Sequence, residues 1–173
     1  MTHIILWVDG ITEFYTSPIP QYNMALNFNQ YASEGNNFMK DYASQLCLEK
    51  DIDKAGRILT SILHALRELI PTEESLQFIA QLPMFIKAVY VNGWSIKRQK
   101  PKVKHMNEFI ALVKECDGTA AVNDFGYDDD LVEKYLDVTF IYLRKYVSMG
   151  EMHDIKDGLP KDLKQLIHSN LIF

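Results

Sequence analysis

Residues 76–90 read LQFIAQLPMFIKAVY, and residues 152–167 read MHDIKDGLPKDLKQLI. Each stretch breaks at a Leu-Pro step and then resumes an apolar pattern. The residue before a proline is pushed out of the helical region, so Leu82 and Leu159 end helices. Proline is accommodated at the first position of the next helix, where its missing N–H leaves no bond unmade. Leu-Pro is therefore a corner between two helices, with the leucine turned inward.

Working outward, the helical period continues on both sides. Ala55, Ile58, Leu59, Ile62, Leu63, Leu66, Leu69 and Ile70 recur at three- and four-residue steps, the clearest amphipathic helix in the chain. Asp53 is the expected N-cap and Pro71 the stop. Thr72 is the expected cap of a short third helix carrying Leu76, Ile79 and Ala80. Met84–Val91 is apolar almost all round and is expected to be central. Upstream, Met24, Phe28, Tyr31, Phe38, Tyr42 and Leu46 share one face, with Gly35 the expected kink or break. Downstream, a helix is expected around Met106–Cys116, then a loop over DGTAAVNDFGYDDD. A long helix capped by Asp130 follows, then one opened by the Ser148-x-x-Glu151 capping box, and last an amphipathic helix from Pro160.

An offset of 77 residues superposes the two corners. At that offset Leu59 meets Leu136, Leu66 meets Leu143, Arg67 meets Arg144, Glu74 meets Glu151 and Lys87 meets Lys164. Asp51 and Asp53 meet Asp128 and Asp130. The matches fall at caps, corners and core positions, where a repeated supersecondary unit agrees with itself. The expected fold is all-α, a helical bundle of two tandem pseudo-repeats of about four helices each, sharing one core. Repeat one spans about 22–96, a basic linker 97–104, and repeat two about 105–173. Residues 1–21, with two prolines in SPIP and no helical period, form an N-terminal arm whose Ile5, Leu6 and Trp7 are expected to dock on an apolar patch.

Bulk properties narrow the function classes. The chain has 173 residues, 47% hydrophobic and 24% charged, which suits one globular domain. A net charge of −5 argues against wrapping nucleic acid or an anionic membrane. No apolar run reaches spanning length, so the expected location is the cytoplasm. Cys47 and Cys116 form no disulfide framework and are expected as reduced, mostly buried thiols.

The segments ILHALRELIPTEESLQFIAQLPMFIKAVYVNGW and VSMGEMHDIKDGLPKDLKQLI resemble a bacterial family known as domain of unknown function 2267 (DUF2267). The motifs HALR, AQLP, Tyr-x-x-Gly-Trp at 90–94, and GE-x-x-D followed by LP-x-DL occur in the family's order. The resemblance runs from about Tyr22 to the C-terminus. It implies an all-helical fold and a bacterial source, and it transfers no activity and no catalytic residue.

The repeated Arg67, Arg144, Glu74 and Glu151, with His153 and Asp154, are the candidate cleft residues. They could hold a polar ligand bidentately, or the arginines could brace the turn to the next helix, as repeated positions favour. His3, His64, His105, His153 and His168 lack partners at ligand spacing, so no metal site is assigned. YDDDLVEKY lacks the pattern of a calcium loop. No Gly-rich phosphate loop, Gly-x-Ser-x-Gly elbow or Cys-x-x-Cys is present, so no catalytic residue and no cofactor is assigned. The basic run KRQKPKVK is read as a solvated hinge. The expectation is a helical binding or interaction module for a protein partner or a small apolar ligand, with a homodimer as one form. A small enzyme or metal-dependent protein using the inter-repeat cleft is the alternative.

Overall fold

A computed structural model describes residues 27–97 and 99–167. The N-terminal arm with Ile5, Leu6 and Trp7, together with His3, Met24, Arg98 and His168, lies outside the described residues. Eight α-helices and two 3-10 segments, and no strand, occur among them. They are α1 (Phe28–Gln45), α2 (Ile52–Leu69), α3 (Thr72–Gln81), α4 (Met84–Val91), α5 (Met106–Asp117), α6 (Ala121–Phe125), α7 (Asp129–Leu143) and α8 (Met149–Gly158). The 3-10 segments are Gly118–Ala120 and Lys161–Leu166.

The two Leu-Pro corners have the same backbone. Leu82 stands at φ −69° and ψ 152° and Pro83 at φ −56° and ψ 149°. Leu159 and Pro160 stand at φ −80°, ψ 149° and φ −52°, ψ 150°. Both leucines are buried. Lys87 Nζ donates to the Ala80 carbonyl at 3.0 Å, and Lys164 Nζ, 77 residues on, to the Asp157 carbonyl at 3.3 Å. Each lysine thereby satisfies a C-terminal carbonyl of the preceding helix. The prolines stand one residue outside the next helix rather than in its first turn, and their carbonyls accept its first bonds.

The caps also lie one or two residues from where composition suggested. Asp51, not Asp53, caps α2, its carboxylate accepting from the Lys54 N–H at 2.9 Å. Asp128, not Asp130, caps α7 through the Asp130 and Leu131 N–H groups. Asp53 and Asp130 instead occupy first turns, where the helix dipole favours acids. Pro71 precedes α3, and Thr72 is its first residue. At α8, Ser148 Oγ accepts from Glu151 N, but Gln81 of α3 closes the box: its Oε1 accepts from Ser148 N at 2.7 Å and its Nε2 donates to Glu151 Oε2 at 3.3 Å.

The centre of the molecule is α2, which packs on α1, α4, α5, α6 and α7. Its Ala55, Ile58, Ile62, Leu63, Ala65 and Leu66 have no exposed surface. The first helix of each half crosses to the other half's long helix, α5 onto α2 and α1 onto α7, while α3 lies against α8. One apolar cluster therefore runs from Phe38 to Ile167 across both halves. Two tyrosines tie α1 to α7. Tyr42 donates to Thr139 Oγ1 at 2.7 Å, Thr139 having given its own proton to the Tyr135 carbonyl. Tyr142 donates to the Phe38 carbonyl at 3.3 Å.

Four expectations need correction. First, α4 is not central: Ile86 and Tyr90 point inward, while Met84 and Val91 are 49% and 43% exposed. An eight-residue helix at the edge buries one face only, so its surplus apolar residues face outward. Its counterpart after Pro160 is a 3-10 segment, also at the edge. Second, α1 runs through Gly35 unbroken. A Cβ there would sit 3.2 Å from Phe85 Cγ, so this glycine serves the close approach of a ring rather than a break. Third, Cys47 is exposed and has φ +58° at the end of α1, a position where left-handed backbone closes the helix. Cys116 is half-buried. Fourth, the stretch after Asp117 is a 3-10 turn followed by α6, bounded by Gly118 and Gly126 in left-handed backbone.

Candidate functional site

The largest described concavity is a cleft of about 670 Å³ between α1, α2, α4 and the end of α5. Met39 of α1 and Phe85 and Val89 of α4 form its apolar walls, and Gly56, Leu59 and Thr60 of α2 its floor. The outward apolar surplus of α4 supplies one side. Cys116 and Asp117 close the α5 end.

Arg57 edges the cleft and anchors it. Its Nε lies 2.6 Å from Asp124 Oδ2 and its Nη2 2.9 Å from Oδ1, a bidentate pair across 67 residues. Asp124 has no exposed surface and also accepts from Asn123 Nδ2. Burial pushes the Asp124 carboxyl up, but the hydrogen bonds from Arg57 and Asn123 outweigh it and hold the group below the usual carboxylate range. The pair bolts α6 onto α2. Asp117 differs: burial raises its carboxyl despite a hydrogen bond from Ser61 Oγ at 2.8 Å.

The sequence-selected residues take other places. Arg67 is buried, and its Nη1 donates to the Tyr90 carbonyl and, at 2.9 Å, to the Asn92 carbonyl, with Glu68 3.8 Å from its Nε. It caps the C-terminus of α4, where a cation suits the helix dipole, and lines a smaller cavity of about 280 Å³ with His64. His64 Nε2 donates to the Val89 carbonyl at 2.8 Å, and burial holds the ring below the usual histidine range, so it is a neutral brace. Arg144 ends α7 and donates to Met149 Sδ at 3.2 Å.

Glu74 and Glu151 stand in the first turns of α3 and α8, the two helices that pack together. Each has one buried carboxylate oxygen with no hydrogen-bond partner among the described residues. Burial, then the charges of Glu74 and Asp154, raise the Glu151 carboxyl. His153 is exposed, 3.5 Å from Asp157 rather than paired with Asp154, which is also exposed. The fold thus brings Glu74 and Glu151 together at the α3–α8 contact and keeps Arg67 against α4. Among the described residues no three His, Cys, Asp or Glu side chains are placed to hold a metal ion. In the basic run, Lys100 Nζ donates to the Ile70 carbonyl at the end of α2, so part of that run caps a helix.

A raised carboxyl opposes folding once it must ionise. Stability conferred by neutral Glu151 is complete below the unfolded carboxyl's range and is lost as pH rises through the folded value. Glu151→Gln keeps the acceptor for Gln81 and removes the charge. It is expected to raise the thermal midpoint by a few degrees at neutral pH and to leave it unchanged near pH ~3, measured by circular dichroism melting.

Arg57 and Asp124 carry no motif. Both sit in stretches that read as ordinary, and only the packing of α6 on α2 makes them a pair. No helix among the described residues is long and apolar enough to cross a membrane. A search of curated proteins finds no match to the chain. The profile of the family described as "Uncharacterized conserved protein (DUF2267)" matches residues 35–166, most of the chain, and the protein belongs to that family.

Proposed function

We propose that this chain is a helical binding module that holds a small, largely apolar ligand in the α2–α4 cleft. The observation that carries the reading is Gly56. It lies inside α2, where glycine costs about 0.5–1 kcal/mol relative to alanine. Its position demands no glycine: an added Cβ would meet only Met39 Cε, at an ordinary 3.6 Å. Gly35 is the contrast, since a ring fills the space its Cβ would take. At Gly56 the missing side chain keeps the floor of the cleft open and lets a ligand approach the backbone. The cleft's size is that of small-molecule sites, and its mix of apolar walls with a few polar groups is theirs as well.

Titration with indole and with n-octanol, followed by amide chemical shifts, tests this. Probe-induced shifts are expected at Met39, Gly56, Val89 and Cys116. Gly56→Phe, which fills the floor, is expected to abolish them while the rest of the spectrum stays native. Gly56→Ala is expected to stabilise the protein by about 0.5–1 kcal/mol and to weaken probe binding. Shifts elsewhere, or unchanged binding in Gly56→Phe, would contradict the reading.

We further infer that the two halves are copies of one four-helix unit, and that the module works in a bacterial cytoplasm. The first inference is supported by the matched corners, lysine caps and aspartate caps at an offset of 77 residues. The second is supported by two free cysteines and by the family.

A further inference from the structure

A second groove, of about 430 Å³, lies on the other side of Phe85, between α1 and the Leu82–Pro83 corner. Its character differs from that of the α2–α4 cleft. Phe38 forms its base, with the Phe85 ring in edge contact at 5.1 Å and the Tyr146 ring at 5.3 Å. Leu82 and Pro83 complete the apolar wall. Glu34 and Asp41, one turn before and one turn after Phe38 on the same face of α1, bring two exposed carboxylates to its rim. No lysine, arginine or histidine lines it.

This combination selects for positive charge. Carboxylates attract it directly, and aromatic rings add the attraction of their faces for cations. The same aromatic cluster already holds one ammonium: Lys145 Nζ lies 4.5 Å over the ring of Tyr142, which packs against both Phe38 and Tyr146. The aliphatic stem of a lysine matches the apolar wall, while its head matches the rim. The groove is open along its length, formed by a helix face on one side and a corner on the other, which suits a chain rather than an enclosed molecule.

We propose that this groove binds a lysine- or arginine-bearing segment of a partner protein, its basic side chain lying over Phe85 and Tyr146 and pairing with Glu34 and Asp41. The site is independent of the α2–α4 cleft and stands or falls separately.

The probe is the peptide acetyl-Leu-Lys-Leu-Lys-Leu-amide, compared with its glutamate counterpart and with n-butylammonium, by amide chemical shifts. The lysine peptide is expected to shift Phe38, Leu82, Phe85 and Tyr146, more strongly at low than at high salt. Glu34→Gln/Asp41→Asn, at exposed positions that leave the fold intact, is expected to weaken it about five- to ten-fold. Tyr146→Ala is expected to weaken it as well, and Asp53→Asn in the other cleft to leave it unchanged. Equal binding of the glutamate peptide, or shifts away from these residues, overturns the proposal. Binding of n-butylammonium without the peptide makes this a small-amine site and overturns it too. So does self-association of the free protein that Glu34→Gln/Asp41→Asn abolishes, since the occupant would then be a second copy.

Discussion

Arg57→Ala lowers the thermal midpoint by roughly 10 °C, more than removal of its partner does. The asymmetry comes from exposure. Asp124 has no exposed surface, whereas the Arg57 side chain is 39% exposed. Without Arg57, a carboxylate is stranded in the interior with Asn123 as its remaining side-chain donor, and a buried unpaired charge is among the costliest defects a fold carries. Without Asp124, the guanidinium turns to water. The pH dependence separates this account from simple loss of packing. In the wild type the Asp124 carboxyl is held low, so its stabilisation is present above the unfolded carboxyl's range and lost as pH falls through the folded value. In Arg57→Ala burial acts unopposed by the arginine, the folded carboxyl rises, and the deficit shrinks on acidification. Replacing both residues by leucine is expected to cost less than Arg57→Ala alone. Urea unfolding across pH checks all three outcomes.

Leu66→Ala and Leu143→Ala each cost about 2–5 kcal/mol, from lost burial and from the cavity left behind. The two leucines are matched by the 77-residue offset, lie on α2 and α7, and have no exposed surface. Because α2 and α7 pack on each other, both substitutions open the same interior. Each is therefore expected to lower one shared unfolding transition rather than to split off half of the molecule.

The scaffold was legible in the sequence because its signals are local. A proline that forbids a helix at the preceding residue, an aspartate before a periodic run, and leucines at three- and four-residue steps act within one or two turns. Those signals placed the corners, the long helices and the short α3 and α8. Cap positions slipped where two aspartates stand two residues apart, as Asp51 and Asp53 do, since either can cap and packing decides. The position of α4 was misread for a related reason: an apolar composition says that a helix has partners or a cleft to line, not which.

The sites were much less legible. Arg57 and Asp124 become partners only through the packing of α6 on α2, and the comparison of halves hides them. At the 77-residue offset Arg57 meets Lys134 and Asp124 meets Cys47, so the pair belongs to one half alone. Arg67 stood out because it repeats, and its repetition reflects bracing, as its bonds to the α4 carbonyls show. Gly35 and Gly56 look alike on paper. One is required by Phe85 and the other by nothing in the protein, a distinction that only neighbouring atoms reveal.

Native-state hydrogen exchange on Leu66→Ala tests most directly whether the two halves share a single interior. A common interior predicts that the slowest amides of α7, at Leu136 and Phe140, lose protection by the same free energy as those of α2. Full wild-type protection in α7 beside a weakened α2 would mean two independent cores, and would contradict the architecture on which both clefts are built.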